Sequence, residues 1–448
     1  MRRNTEAIHV DQTPANTANL AAEIAATLPA LARLVDRDAV ALRLADTAAC
    51  ALGAEALADH STGEEGTITR VRRYASWGQG PCTVWADGKG ASLDDASLRN
   101  AVAARYLDYN DTYVGRAVTH PSDMIPALVA LAEDRGIGWD RLIEAITVGY
   151  EVMCRLADQA QVSSHGFDGS TLTPLGAAAG AAWLLGLDEK QSAATLCIAA
   201  LDAGTLRSVR QGKLSDWKAV ASGRGAMKGV FAARMVAAGC HSPENVFEGK
   251  DGFCERISGP LTISADAPAR LPRTLLKKYP VQIFIQGLIE LAQQLRVDLQ
   301  GSKDEIESIA VGISKPAMEM LGGPGARKGK INRETADHTP GFAIGAVLLK
   351  GRLSHDDYDA LLADDKVLAL MANIGLEEDA EATKAYPRSF RAALTAKLKG
   401  GRTLVIAQAG PAAMDEASFA KKLDELWPKG RQRSWPWKLS GEAPRFPA

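Results

Sequence analysis

Segments whose apolar residues recur at helical spacing follow one another through roughly the first 260 residues of this 448-residue chain. Alanine and leucine dominate these segments, and apolar residues repeated every three to four positions indicate amphipathic α-helices. The pattern therefore predicts a large helical body. The predicted helices are 21–58 (interrupted at Pro29), Leu98–Tyr109, Ile125–Arg135, Arg141–Ala157, Thr173–Leu185, Glu189–Ala203 and Ala219–Ala238.

Two short runs punctuate these helices, Gly138-Trp139-Asp140 and Gly186-Leu187-Asp188. Glycine commonly ends a helix and aspartate commonly begins one. Each run therefore predicts a C-cap glycine followed by an N-cap aspartate. Residues 69–93 instead have loop chemistry, with a short extended piece predicted at Cys82–Trp85.

The pattern changes near Leu271. Alternating branched residues predict a strand at Ile306–Ile313, and Ala392–Leu398 with Thr403–Ala407 predicts a hairpin. Helices are predicted at Phe284–Leu295, Ala343–Leu349 and Asp415–Trp427, the last packing back on the first domain, while Lys429–Lys438 is predicted to be loose surface. The expected fold is mainly α, with a large all-helical domain (1–268, completed by 408–448) and a smaller α+β domain (269–407).

Length and composition are consistent with this division. A chain of 448 residues is too long for one ordinary core and predicts two domains, with room for a third. Its 46% hydrophobic and 24% charged residues are typical of a folded soluble protein. The formal net charge of -2 gives no electrostatic basis for binding nucleic acid or an acidic membrane.

The cellular location is predicted from three observations. The six cysteines are scattered without a C-x-x-C pair, which indicates reduced cysteines in a cytosolic protein. The first 19 residues are polar and contain acids, unlike a signal peptide or a transit helix. No apolar run reaches about 18 residues, so no membrane span is predicted. We therefore expect a soluble cytoplasmic protein.

One segment, Asp108 to Asp123, gathers carboxylates, hydroxyl groups and the imidazole of His120 between apolar helices. Proton-handling groups of several kinds at this spacing suit acid–base chemistry on a small polar substrate. The alternative is that these Asp, Asn and Thr residues only cap helices and form turns.

A second cluster places Arg207, Arg210, Lys213 and Lys218 within twelve residues. Arginines that share a helical face offer fork-shaped donors for carboxylates. The alternative is a solvated basic turn. Together the two clusters would suit a substrate with several carboxylates.

Other motifs are absent. The run Gly322–Lys330 resembles a phosphate-binding loop, but Pro324 and Ile331 occupy positions where that motif requires glycine and Ser or Thr, so we interpret it as a basic loop. No Ser or Cys has a nucleophile-elbow context. The seven histidines form no H-x-x-x-H pair, so neither a metal nor another cofactor is expected.

The chain resembles the MmgE/PrpD family, which includes 2-methylcitrate dehydratase and cis-aconitate decarboxylase. The resemblance covers residues from about 20 to 425 and implies a homodimer with an active site in a cleft between domains and catalysis without a metal. It rests on the runs Leu107-Asp108-Tyr109-Asn110-Asp111-Thr112, His120-Pro121-Ser122-Asp123, Gly149-Tyr150-Glu151-Val152, Gly212-Lys213-Leu214-Ser215-Asp216-Trp217-Lys218, Lys278-Tyr279-Pro280 and Arg333-Glu334-Thr335-Ala336-Asp337-His338-Thr339.

By position, the resemblance implies that Asp108, Thr112, His120 and Lys218 line the active site. Dehydration of a citrate-like alcohol needs a base, an acid and cations that stabilise enolate-like charge. We expect His120 to be the acid or base, Asp108 its partner, and Lys218 a carboxylate clamp or proton carrier. The expected substrate-binding residues are Thr112, Arg207, Arg210, Lys278 and His338.

Three positions depart from the family pattern. Gly169 and Phe284 stand where many relatives carry histidine, and Phe342 stands where they carry tyrosine. Losing polar site residues removes acid–base capacity and hydrogen bonds together. A shifted, less polar substrate is therefore expected, with His165 as a partial substitute for the histidine missing at 169.

Three hypotheses follow. The leading one is a lyase that acts on a small polycarboxylate, with dehydration favoured over decarboxylation. The second is an isomerase or epimerase, which needs proton abstraction and return but no protonated leaving group. The third is a non-catalytic paralogue that keeps the anion pocket.

Overall fold

The structure of the chain is a computed structural model that describes residues 19–60, 66–76, 78–266, 268–301, 305–323 and 329–447. The predictions for residues 1–18 and for positions 324–328 of the basic loop lie outside these ranges.

The N-terminal half is helical, as predicted. Two small antiparallel hairpins interrupt the helices, Cys82–Thr83 (β1) with Gly90–Ala91 (β2), and Tyr113–Val114 (β3) with Val118–Thr119 (β4). The helices are Leu20–Ala32 (α1), Arg37–His60 (α2), Thr67–Tyr74 (α3), Leu93–Tyr106 (α4), Ile125–Arg135 (α5), Trp139–Ala157 (α6), Thr173–Leu185 (α7), Glu189–Leu201 (α8) and Trp217–Ala237 (α9).

Small residues allow the central helices to pack closely. A Cβ added to Gly229 of α9 would lie 2.5 Å from the Pro174 carbonyl oxygen at the start of α7. A Cβ on Gly149 of α6 would lie 2.9 Å from the Gly176 carbonyl oxygen of α7. Because backbones in contact leave no room for larger side chains, the alanine and glycine content of α7 determines how tightly this layer packs.

The C-terminal half contains a four-stranded sheet with the order β6-β5-β7-β8. The β5–β6 pair is parallel and the other pairs are antiparallel, so the predicted strand and hairpin are confirmed while β6 was not foreseen. The elements are Gln286–Asp298 (α10), Ile306–Ile313 (β5), Lys315–Met320 (α11), Arg333–Ala336 (α12), Pro340–Lys350 (α13), Tyr358–Leu362 (α14), Asp365–Ala372 (α15), Ile374–Glu378 (β6), Ala380–Ala385 (α16), Ala392–Leu398 (β7), Thr403–Gln408 (β8) and Glu416–Leu426 (α17).

The buried apolar residues form one large cluster from the helical half and a smaller one from residues 281–398. Helix α17 returns to the large cluster, where Phe419 and Leu423 are buried. The mainly α fold with a smaller α+β part is thereby confirmed. The exact domain boundaries stay a prediction.

The prediction that Lys429–Lys438 is loose surface is wrong. Trp437 is 2% exposed, and its ring centroid lies 4.6 Å from that of Trp85. Trp435 packs on Trp139, and Arg431 donates a hydrogen bond to the Ala86 carbonyl. Indole rings bury a large apolar area, which outweighs the surrounding charges in holding the segment on the helical half.

Two helix-boundary predictions are also corrected. Pro29 lies inside α1, and the break follows at residues 33–36, where the Asp36 carboxylate caps the amides of Asp38 and Ala39. Gly138 is the N-cap of α6, while Gly136, with φ 64°, ends α5. The prediction for the second run, Gly186-Leu187-Asp188, is confirmed, with Gly186 ending α7 and Asp188 capping α8.

Among the described residues, no helix combines the length and apolar character needed to cross a membrane.

Candidate active site

A cavity of about 550 Å³ lies between the two halves of the molecule. The helical half contributes two short 3-10 turns, Gly169–Leu172 and Arg207–Arg210. The α+β half contributes the pairs Gln282–Ile283 and Glu319–Met320. Arg105, His120 and His338 also line it, so both halves supply an imidazole to the same cavity.

Asp108 ends the polypeptide turn after α4 in the left-handed conformation, with φ 49°. Aspartate tolerates this conformation better than most residues because its short polar side chain forms local hydrogen bonds. Its Oδ1 lies 2.5 Å from Lys277 Nζ and 2.9 Å from Arg105 Nη1, and all three side chains are buried. The turn therefore places this carboxylate between two cations.

The electrostatics of Asp108 follow from this placement. Burial alone would raise the pKa of the Asp108 carboxyl, but Arg105 and Lys277 outweigh burial and hold its pKa well below the usual range. Burial favours the neutral form of Arg105, yet Asp108 and Asp123 raise the pKa of its guanidinium. Asp108 is therefore an anion at neutral pH and Arg105 a cation.

His120 uses both ring nitrogens inside the protein. Its Nε2 lies 3.1 Å from Arg105 Nη2, and its Nδ1 lies 2.8 Å from the Asp111 carbonyl oxygen. Arginine only donates hydrogen bonds, so Nε2 accepts and the proton sits on Nδ1, which donates to Asp111. Burial, then Arg105 and Lys277, lower the pKa of His120 well below its ordinary value. His120 is therefore a neutral imidazole with both nitrogens engaged.

Lys218 lies near the start of α9 and is fully buried. Its ammonium group donates a short hydrogen bond to Asp337 and lies 2.9 Å from a carboxylate oxygen of Glu334. Burial alone would raise the pKa of Asp337, but Lys218 and His338 lower it by more, so the pKa of this carboxyl lies below its ordinary value. Lys218 thereby keeps Asp337 ionised.

His338 donates a hydrogen bond to Asp337 and lies close to Asp108. Its Nδ1 lies 2.6 Å from Asp337 Oδ1 and 3.3 Å from Asp108 Oδ2. Burial lowers the pKa of His338 to about 4, although both carboxylates favour the charged imidazolium. Because carboxylates only accept, Nδ1 carries the proton and Nε2 is the basic nitrogen of the neutral ring. Of the two cavity histidines, His338 has the protonation pattern of a general base.

Arg207 and Arg210 extend from the 3-10 turn after α8 into the cavity. Arg210 pairs with Asp168, with 3.1 Å between Nε and Oδ2. Arg207 contacts the Ser163 carbonyl oxygen at 3.4 Å, and the described residues include no carboxylate within 4 Å of it. Arg207 is therefore a cavity-lining cation without a described carboxylate partner, which makes it suited to bind a carboxylate of a ligand.

The structure divides the eight predicted site residues into three groups. His120, Arg207, Arg210 and His338 line the cavity. Asp108, Thr112 and Lys218 lie behind its wall and are buried. Lys278 is not at this cavity: it lines a different one, and the neighbouring Lys277 contacts Asp108 instead. The placement of Lys278 at the site is therefore corrected to Lys277.

Thr112 connects the two halves of the site. Its backbone amide donates to the Leu275 carbonyl at 3.0 Å, and the Leu275 amide donates back at 2.7 Å. The Thr112 hydroxyl lies 3.2 Å from His120 Nδ1. This bridge fixes the segment that carries Lys277 against the turn that carries Asp108.

Of the three departures from the family pattern, only Gly169 lines the cavity. A Cβ at this position would lie 1.8 Å from the Val118 carbonyl oxygen, so the backbone of β4 excludes any side chain. Phe284 packs in the α+β core against Tyr386 and Phe390, and buried Phe342 packs on Tyr358. The expectation that these phenylalanines make the pocket less polar is wrong.

His165 does not substitute for a histidine at position 169. It is exposed, its Nδ1 lies 3.0 Å from the Gln161 carbonyl oxygen, and it is not among the residues that line the cavity. The short loop places it on the surface instead.

Four members of the charged network were not predicted, namely Arg105, Lys277, Glu334 and Asp337. Arg105 carried a signal, since an arginine inside an apolar helix three positions before Asp108 matches the i, i+3 spacing of an ion pair. Glu334 and Asp337 lie in the run that contains His338. The local sequence does not indicate that the side chains of Lys277 and Lys278 point in different directions.

A metal is geometrically possible but electrostatically disfavoured. Asp108, Asp337 and His338 each offer a ligand atom within 4.8 Å of the others. Arg105, Lys218 and Lys277 already contact these two carboxylates. A divalent ion would be repelled by three buried cations at short range. That the site binds no metal stays a prediction, and these three positive charges support it.

Sequence comparisons identify relatives of the chain. A 2-methylcitrate dehydratase of Cupriavidus necator is 25% identical over 336 residues, which cover 69% of this chain and 68% of the relative. A mitochondrial 2-methylcitrate dehydratase of Yarrowia lipolytica is 25% identical over 326 residues, 67% of this chain and 62% of the relative. The matched region thus spans about two thirds of the length of these relatives.

An alkylcitrate dehydratase of a fungal species is 25% identical over 338 residues, 68% of this chain and 66% of the relative. The sequence model of the MmgE/PrpD N-terminal domain matches residues 21–265. That of the MmgE/PrpD C-terminal domain matches residues 279–426. These two matches extend over most of the chain, which therefore belongs to the MmgE/PrpD family.

Proposed function

We propose that this protein is a lyase that removes water from a small, citrate-like hydroxy-polycarboxylate by acid–base chemistry without a metal. The observation that carries the proposal is the pair Asp337–His338 at the cavity wall. It presents a neutral imidazole whose Nδ1–H is held by a carboxylate. The names of the relatives, 2-methylcitrate and alkylcitrate dehydratases, support this class of substrate.

Substrate binding is assigned to the arginines. Arg207 faces the cavity without a described carboxylate partner, so a substrate carboxylate can accept two parallel hydrogen bonds from its guanidinium. Arg210 shares its charge with Asp168 and contributes a weaker second contact. Arg207 and His338 line the same cavity, so a ligand held by Arg207 shares that space with His338.

The elimination begins at His338. Its Nε2 takes the proton from the carbon next to a carboxylate, and the C–H electrons pass into that carboxylate as enolate-like charge. These electrons then form the carbon–carbon double bond while the C–O bond to the hydroxyl breaks. The imidazolium at His338 returns its proton to the departing hydroxyl, which leaves as water. Burial, which lowers the pKa of His338 to about 4, favours release of this proton, while Asp108 and Asp337 act against burial and favour uptake of the proton in the first step.

The buried cations stabilise the charge that builds up. Arg105 lines the cavity beside Asp108, so its guanidinium can face the developing negative charge. Lys277 and Lys218 lie behind the wall against Asp108 and Asp337, and they act by keeping both carboxylates ionised and fixed beside His338. Preorganised charges of this kind require no rearrangement during the reaction.

The test is to incubate the purified protein with citrate, 2-methylcitrate and cis-aconitate. Formation of the enoate would be followed by ultraviolet absorbance and incorporation of solvent deuterium by NMR. We expect enoate formation that His338→Ala abolishes. His120→Ala should reduce it less, because the Nε2 of His120 is occupied by Arg105. If none of the three compounds is either turned over or bound, the proposal is wrong.

An epimerase acting on a related carboxylate is the second candidate. The observation in its favour is that a single histidine, His338, has its Nδ1–H held by a carboxylate at the cavity wall, and one such group suffices for removing a proton and returning it. Deuterium incorporation without enoate formation would identify this activity. Ligand binding without either reaction would identify a non-catalytic paralogue.

We further propose a homodimer in the cytoplasm. Three large apolar side chains beside α8 and α9 are exposed: Leu206 (61%), Trp217 (49%) and Phe231 (54%). Leu206 and Trp217 line one surface depression, and Phe231 lies further along α9. Exposed apolar residues of this kind are typical of protein–protein contacts. Light scattering of the wild type and of Trp217→Ser/Phe231→Ser tests the dimer. The reduced state of the described cysteines is consistent with the cytoplasm.

A further inference from the structure

A second cavity, of about 790 Å³, lies on the other side of the segment that carries Lys277. Its walls include Pro272–Leu276, Lys278, and residues 409–414 that follow β8. Ile283 lines both this cavity and the candidate active site. The two cavities therefore share a wall, while Lys277 and Lys278 point to different sides of it.

Four cationic side chains line the second cavity: Arg43, Arg273, Lys278 and Arg388. Among the described residues, none of the four has a carboxylate within ion-pair distance. Arg43 is 5% exposed, and its guanidinium contacts only the Thr274 hydroxyl and backbone carbonyls. Arg43 favours the ionised form of Asp46, but that carboxylate pairs with Lys422, so an anion entering the cavity would add counter-charge for this buried cation.

The acidic groups near this cavity have other partners. Glu290, its lining carboxylate, accepts hydrogen bonds from the Ala412 amide and the Gln408 side chain. Asp415 lies just beyond the lining and caps α17 through the Ser418 amide. Hydrogen bonds from Ser418, and then Lys278, lower the pKa of Asp415, but the four lining cations still outnumber Glu290 and Asp415, so the cavity has a net positive charge.

The remaining lining residues are largely apolar. Leu42, Ile283, Phe390 and Met414 contribute side chains that cannot hydrogen-bond a polar ligand. A fully hydrated inorganic ion would leave these surfaces in contact with water. The combination of cations and apolar walls fits a ligand that has both an anionic head and an apolar portion.

We propose that this second cavity is a binding site for a small organic anion whose carboxylate or phosphate head contacts Lys278 and Arg388 and whose apolar portion packs on Phe390 and Met414. The site is separate from the candidate active site and its binding does not depend on the proposed reaction. Because the Lys277–Lys278 segment is part of the wall that the two cavities share, a ligand held by Lys278 also restrains the position of Lys277.

The experiment is calorimetric titration of the full chain with hexanoate, hexyl phosphate and inorganic phosphate. The variant Lys278→Ala/Arg388→Ala removes two cations from the cavity. Its matched control, Lys399→Ala/Arg402→Ala, removes two from the exposed turn between β7 and β8. Arg207→Ala reports on the candidate active site.

We expect hexanoate or hexyl phosphate to bind the wild type, the Lys399/Arg402 control and Arg207→Ala with similar affinity. Loss of two charge-assisted hydrogen bonds should weaken binding to Lys278→Ala/Arg388→Ala by roughly tenfold or more. Preference for hexanoate or for hexyl phosphate identifies the head group. The proposal is overturned if the Lys278→Ala/Arg388→Ala variant binds like the wild type, or if binding is lost in Arg207→Ala. It is also overturned if inorganic phosphate binds as tightly as hexyl phosphate, because that result indicates an adventitious ion only.

Discussion

Lys277 Nζ lies 2.5 Å from Asp108 Oδ1, and neither side chain reaches solvent. The same ammonium group donates to the Asp108 carbonyl oxygen at 2.7 Å, so one side chain holds both the carboxylate and the backbone of the turn. The two residues are 169 positions apart in the sequence. Their contact joins the helical half to the segment that leads into the α+β half.

Replacing Lys277 with methionine should therefore destabilise the protein, while Lys278→Met should not. Removing one partner of a buried ion pair leaves an uncompensated charge, which typically costs about 3–5 kcal/mol of unfolding free energy. Lys278 is half-buried and has no described ion pair, so we expect a change within about 0.5 kcal/mol. Urea unfolding of both variants measures the difference. Equal stabilities would contradict the structural assignment of Lys277.

The pair Asp337–His338 leads to a catalytic prediction. Asp337→Asn removes the anion that holds the Nδ1–H of His338, so Nε2 no longer has a fixed orientation or tautomer. Deuterium exchange at the substrate carbon should fall by roughly 100- to 10,000-fold, the range over which positioned general bases contribute. NMR of whichever citrate the wild type turns over measures this. The exposed Asp359→Asn is the matched control and should exchange at the wild-type rate.

The neutral state of His338 makes stability depend on pH. Its pKa is about 4 in the folded protein and 6.5 ordinarily, so the unfolded chain binds a proton that the folded protein does not between these values. Unfolding free energy should therefore rise as pH increases from about 4 to 6.5, with a contribution on the order of 3 kcal/mol from this histidine. Denaturant unfolding of the wild type and His338→Gln across that range measures it. The variant should show a shallower slope, and parallel slopes would refute the low pKa.

These contacts show which parts of the site the sequence could predict. Helical spacing predicted the elements around Asp108, and the family resemblance of the run that contains His338 implied that His338 lies at the site. Neither pattern specifies the direction of a side chain in an irregular segment, so Lys277 and Lys278 were exchanged. Phe284 and Phe342 were expected to make the pocket less polar, yet both are buried in the α+β core, because core packing depends on contacts distant in sequence.

The close approach of Gly169 to β4 predicts that restoring a family histidine there will fail. A Cβ at 169 would lie 1.8 Å from the Val118 carbonyl oxygen, so even Gly169→Ala forces the backbone to move. We expect a loss of about 1–3 kcal/mol or more in unfolding free energy. The matched control is Gly375→Ala in β6, where no atom lies within 4 Å of the added Cβ. Thermal unfolding compares the two, and a Gly169→Ala variant as stable as Gly375→Ala would disprove the clash.

Lys422 of α17 contacts the backbone of the turn that carries Asp108 and Tyr109. Its Nζ lies 2.5 Å from Asp46 Oδ1 and donates to the Tyr109 carbonyl at 2.7 Å, and it lies 4.1 Å from the centroid of the Tyr109 ring. Burial raises the pKa of Asp46 against the attraction of Lys422, so Asp46 depends on this ammonium group to stay ionised.

Lys422→Met should therefore destabilise the protein by roughly 3–5 kcal/mol, as expected for breaking a buried ion pair. The neighbouring Lys421 is 78% exposed and is the matched control, for which we expect a change within about 0.5 kcal/mol. Because Tyr109 follows Asp108 directly, Lys422→Met should also increase hydrogen exchange at residues 108–112, while Lys421→Met should not. Unaltered exchange in a destabilised Lys422→Met variant would mean that α17 stabilises the helical half without positioning the turn.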